Sequence, residues 1–123
     1  MDEALTPKIF IEAYAVGRHM MVSGKKYTHD LKIIGNSVKG DWWRREGHCL
    51  AAEDISDILA TSPDLLVVGT GYASGMRIPN TLQKQLKTRH IRLVYKPTTE
   101  AVQTFNRMRA EGLNVAGAFH LTC

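Results

Sequence analysis

The sequence predicts an α/β fold, a three-layer sandwich in which an N-terminal β meander is followed by βαβαβ. Three observations carry this expectation. The first third is a series of short apolar runs broken at glycine turns. After Leu50 the apolar spacing becomes helical, and helical stretches then alternate with short buried strands. The chain has 123 residues, 44% apolar and 23% charged, which is ordinary for a soluble domain able to bury its own core.

Taken in order, residues 1–8 form a lead, and 9–123 are expected to be one α/β domain. Ile9 to Val16 alternates as a strand, and Gly17 breaks it. Met20-Met21-Val22 and Lys25-Lys26-Tyr27 flank the Ser23-Gly24 turn as a hairpin. His29 to Ile34 is a further strand, Gly35-Asn36 turns the chain, and Val38 to Trp43 is the return strand. Ile55, Ile58 and Leu59 recur at helical spacing, with Glu53 and Asp54 in the first turn where the helix dipole favours negative charge. Ser62-Pro63-Asp64 ends that helix, and Leu65 to Val68 is a buried strand. Pro79 to Lys87 is a second helix with Pro79 in its first turn. Ile91 to Tyr95 is the next strand. Thr98 or Thr99 caps a third helix, whose Ala101, Val102, Phe105 and Met108 form one apolar stripe and which Gly112 stops. Val115 to Leu121 is the last strand.

Composition narrows the function classes. Sixteen basic and twelve acidic residues give a net charge of +4. Between Leu65 and Thr99 there are six basic residues and no acidic one, a segment able to attract an anion or an acidic partner. Tyr72 and Tyr95 are its only aromatics, too few for the stacking platforms of a nucleic-acid binder. No apolar run approaches the ~20 residues of a membrane span. No secretory or transit leader is visible, so a cytoplasmic location is expected.

Two surfaces stand out as candidate sites. Gly69-Thr70-Gly71, after a buried strand, places backbone amides where α/β sheets bind ligands. Thr98 would add a hydroxyl, and Lys96 or Arg77 would add charge for a small anion. The loop is neither the dinucleotide fingerprint nor a P-loop: position 89 is Arg, and no Gly-Lys-Ser/Thr follows. Trp42, Trp43 and Arg44 combine residue types enriched in interface hot spots, and alternation places one tryptophan inward and one outward. No metal site is expected. His48 and Cys49 are neighbours on opposite faces, and His120 and Cys123, three apart on a strand, diverge. No cofactor is expected either. Ser74 lacks a nucleophile-elbow context, Cys123 with His120 is a poor thiolate pair, and Asp30 has no paired carboxylate, so no catalytic residue is assigned.

Six stretches together resemble a known family. They are Tyr27-Thr28-His29-Asp30-Leu31, Trp43 to His48, Leu66 to Gly71, Pro97-Thr98-Thr99-Glu100-Ala101, Phe105-Asn106 and the closing Ala118-Phe119-His120-Leu121-Thr122-Cys123. In this order they resemble the small α/β domain family of unknown function that includes the mitochondrial complex I assembly factor three and an adipogenesis-associated domain protein. The resemblance implies a central mixed sheet in which one strand runs antiparallel, and it brings no catalytic residue. The resulting expectation is a non-enzymatic interaction protein, monomer or weak dimer, that assists assembly of a respiratory or other complex through a protein partner at Trp42, Trp43 and Arg44. The competing expectation is a binder of a small anion at Gly69, Thr70, Gly71, Thr98, Lys96 and Arg77, with an enzyme among its forms.

Overall fold

The computed structural model describes residues 9–123. The expected lead, residues 1–8, lies outside the described residues. Among the described residues there are eight strands, which alternate with helices late in the chain. They are β1 (Ile11–Ala15), β2 (His19–Val22), β3 (Lys25–Tyr27), β4 (Leu31–Ile34), β5 (Ser37–Lys39), β6 (Leu65–Thr70), β7 (Arg92–Lys96) and β8 (Val115–His120). Between β5 and β6 lie a 3-10 turn, Ala52–Ile55, and α1 (Ser56–Thr61). Helix α2 (Asn80–Thr88) joins β6 to β7, and α3 (Thr98–Ala110) joins β7 to β8.

The main sheet has the order β5-β4-β8-β6-β7. Strand β6 is parallel to both β7 and β8, while β4 is antiparallel to β8 and β5. The sheet is therefore mixed, with β4 alone reversed, as the family resemblance implied. The expected meander is divided. Strands β1, β2 and β3 form a separate antiparallel sheet, and β4 leaves it to pair with β8. Leu31 and Ile33 explain the transfer: both are fully buried, and they pack with Phe119, Val67 and Phe105.

All six residues of β6 and all six of β8 are buried, as parallel strands covered on both faces require. Their alternation sorts two cores. Leu66, Val68, Ala116 and Ala118 pack with Trp42, Leu50, Ile55, Ile58, Leu82 and Leu86 beneath α1 and α2. Leu65, Val67, Val115 and Phe119 pack with Ile11, Met20, Val22, Ala101 and Phe105 beneath α3 and the small sheet. These are the three layers. The Arg109 guanidinium ties the second core together, donating to the carbonyls of Ile9 (2.7 Å), Gly35 and Val115 (3.4 Å).

Two local expectations are corrected. The return strand ends at Lys39 rather than Trp43, because the chain turns at Asp41 (φ +50°) and the Trp42 amide donates to the Asp30 carbonyl (2.8 Å). Neither Thr98 nor Thr99 caps α3. Pro97 occupies the N-cap, and Thr98 is the first helical residue, its hydroxyl engaged elsewhere.

Candidate functional site

The polar centre of the molecule lies where β8 ends, beside the loop that enters β4. His120 is the last residue of β8, and Asp30 immediately precedes β4. Asp30 Oδ1 accepts the Leu121 amide (2.8 Å), and Oδ2 lies 2.7 Å from His120 Nδ1. An ionised carboxylate can only accept, so the proton between them sits on Nδ1. Arg44 Nη1 lies 2.8 Å from Asp30 Oδ2. Its Nε and Nη2 donate to the Gly47 carbonyl (3.0 and 2.8 Å), which shapes the loop 44–47 around the guanidinium. The Arg44 side chain is only 4% exposed. Burial pushes the Asp30 carboxyl up, but the hydrogen bonds from His120, the Leu121 amide and Arg44 outweigh it. The net shift is below the ordinary carboxylate value.

These groups form the floor of a cleft of about 310 Å³, which Thr28, His29, Trp43, His48 and Thr122 also line. One buried floor atom, His120 Nε2, has no hydrogen-bond partner among the described residues, whereas the equally buried Arg44 Nη1 faces the Asp30 carboxylate as its ion pair. The rim is Trp43, 75% exposed, with its ring 5.6 Å from that of His29.

The tryptophan pair divides as alternation predicts, although it stands on a loop. Trp42 is 6% exposed and donates through Nε1 to the Asp54 carbonyl (3.0 Å). The Arg44 guanidinium lies over its ring at 4.8 Å. Of the three expected partner residues, Trp43 alone presents its side chain outward, while Trp42 and Arg44 are buried supports that also line the cleft.

The glycine loop after β6 is engaged within the chain. Gly71 N donates to Thr98 Oγ1 (2.9 Å), whose own hydroxyl donates to the His120 carbonyl (2.6 Å). Tyr72 N donates to the Thr122 carbonyl (2.9 Å) and Gly75 N to the main-chain oxygen of Cys123 (2.6 Å). A Cβ on Gly71 (φ +104°) or on Gly75 would collide with the Cys123 backbone, so glycine here permits close approach of Thr122–Cys123. Thr98 is fully buried and Gly69 lies within β6. Thr70, Arg77 and Lys96 do share a second cavity, of about 430 Å³, with Asn80 and Tyr95.

The loop clasp also corrects the expectation that His120 and Cys123 diverge. β8 ends at His120, and the three following residues leave strand geometry to lie against the loop. Cys123 Sγ thereby comes 3.5 Å from His48 Nε2, and the His48 and His120 rings meet edge to face at 5.7 Å. Period-two alternation applies only while the strand lasts. Asp30 and His48 are weighed in the sequence but given no role there, because the signal, an acidic residue and histidines, is spread over 90 positions. Only the β4–β8 pairing brings those ends together.

A family model described as a protein of unknown function (DUF498/DUF598) matches residues 11–120. The chain belongs to the DUF498/DUF598 family. This agrees with the family resemblance carried by the motifs. Among solved structures, one titled as an outer membrane protein from Bartonella henselae is 27% identical, with TM-score 0.77, over 92% of this chain and 94% of that one. A conserved hypothetical protein from Pyrococcus horikoshii is 23% identical, with TM-score 0.76, over 92% and 98%. A Mth938-like domain protein of Bordetella pertussis is 19% identical, with TM-score 0.73, over 91% and 85%. The likeness to the last two shows the shared fold. Among the described residues of this DUF498/DUF598 chain, no helix is long and apolar enough to cross a membrane.

Proposed function

We propose that this protein is a non-enzymatic interaction protein that assists assembly of a larger complex, docking a protein partner through Trp43 and the cleft beneath it. The observation that carries this reading is the exposure of Trp43. Among the described residues it is the most exposed of the large hydrophobic side chains, at 75%, and it stands at the mouth of the cleft. A tryptophan has only two side-chain torsions to fix on binding, so it offers a large contact area at low entropic cost and is enriched in interface hot spots. Trp43→Ala removes no core contact, so it is expected to leave the melting temperature unchanged while abolishing capture of the native partner from the host. Equal capture by the folded variant would exclude the Trp43 face.

A second reading, an anion binder beside β6, is favoured by the cavity that Thr70, Arg77 and Lys96 share at the carboxyl ends of β6 and β7. Its anion would lie against side chains, since Gly71, Tyr72 and Gly75 direct their amides into the chain. A thermal-shift screen of phosphates, nucleotides and carboxylates tests it. A ligand at 100 times its dissociation constant adds about 2.7 kcal/mol of stability, and that gain should vanish in Arg77→Gln. A flat response across the panel removes this reading.

A further inference from the structure

We propose that His48, His120 and Cys123 form a binding site for a divalent transition-metal ion, zinc in the first instance. One donor atom from each of the three lies within 4.8 Å of those of the other two. In tetrahedral zinc sites the metal stands about 2.0–2.1 Å from nitrogen and 2.3 Å from sulfur, so ligand atoms end up roughly 3.3–3.8 Å apart. His48 Nε2 and Cys123 Sγ, at 3.5 Å, already meet that spacing. Both side chains are exposed and can swing, whereas their backbones are fixed: the His48 carbonyl accepts from Arg77 N (2.8 Å) and the Cys123 oxygen from Gly75 N (2.6 Å).

The independent observation is His120. It is 5% exposed, and its Nε2 has no hydrogen-bond partner among the described residues. Buried polar atoms without a partner are rare and call for an explanation. Its other nitrogen, Nδ1, faces Asp30 Oδ2 at 2.7 Å. With the proton held on Nδ1, Nε2 carries the lone pair. Arg44 Nη2, 3.1 Å from Nδ1, does not reverse this, because an ionised carboxylate only accepts and its shorter 2.7 Å contact requires the proton on Nδ1. A carboxylate that orients a histidine through its far nitrogen is the usual outer shell of a metal ligand. Two imidazoles and a thiolate suit zinc, cobalt or copper rather than magnesium or calcium. Three protein ligands leave a fourth tetrahedral position open to water or another group. The site stands whether or not Trp43 docks a partner.

The test is titration of the reduced, metal-stripped protein with cobalt(II), followed by displacement with zinc. The wild type should bind one equivalent and develop a thiolate-to-cobalt charge-transfer band together with intense tetrahedral d–d bands, and zinc should abolish both. Cys123→Ser should lose the charge-transfer band. His48→Ala should weaken binding at least tenfold, and Cys49→Ser should change nothing. All three substitutions lie at exposed or half-buried positions, and circular dichroism checks that each variant is folded. Absence of the bands in folded wild type would overturn the proposal. So would bands that survive Cys123→Ser, or that disappear in Cys49→Ser.

Discussion

Asp30 holds more structure than its sequence context suggests. One carboxylate fixes the His120 ring, the Leu121 amide and the Arg44 guanidinium. Removing its charge leaves Arg44 buried beside no counter-ion, and breaking a buried pair in this way costs about 3 kcal/mol or more. Asp30→Asn should therefore be strongly destabilised at neutral pH in denaturant unfolding. The pH dependence has a definite sign. The folded-state pKa is lowered, so the carboxylate's stabilisation is fully present above its unfolded pKa of about 3.9 and is lost as pH falls through the lower folded value. The gap between wild type and Asp30→Asn should begin to narrow below about pH 4, where the unfolded carboxyl takes up its proton, and close only below the lower folded-state value. A gap that persists undiminished at pH 3 would contradict the ionised assignment.

At the scale of elements, the junction between β6, α3 and β8 depends on one hydroxyl. Thr98 Oγ1 accepts from Gly71 N and donates to the His120 carbonyl, with both groups buried. Thr98→Val keeps the shape and removes both bonds. Each orphaned buried group costs about 1–3 kcal/mol, so the variant should lose at least ~2 kcal/mol, measured by chemical denaturation, and Gly71 N should exchange its hydrogen faster. An unchanged exchange rate would mean that the loop does not rely on Thr98. The sequence revealed most of the elements here, since continuous apolar runs and helical spacing are local signals. Leu65 to Val68 and the stripe Ala101, Val102, Phe105 and Met108 were readable for that reason, and Trp42 and Trp43 divide inward and outward as expected. What the sequence did not reveal is non-local. The departure of β4 from the meander, the burial of Arg44 and the meeting of His48, His120 and Cys123 all depend on contacts across 75 to 91 positions. A threonine that reads as a helix cap became a buried tether for the same reason.

For the molecule as a whole, the sheet carries two cores, one per face, and its polar centre sits at one end, where β8 stops and β4 begins. That end gathers the exposed Trp43, the charged floor and the three metal-type donors, while the cavity of Arg77 and Lys96 lies beyond the ends of β6 and β7. The fold thus places its most exposed aromatic beside its most polar buried cluster. In the proposed docking reading, Trp43, 75% exposed at this mouth, is the side chain that meets the partner. The most direct measurement is photo-cross-linking in the native host, with a benzophenone amino acid in place of exposed His29, against the Trp43 ring. A matched probe at Tyr95, on the opposite edge of the sheet, is the control. One discrete protein adduct is expected from position 29, displaced by excess wild type but not by Trp43→Ala. No adduct above that from position 95, or one that Trp43→Ala displaces equally well, would contradict it.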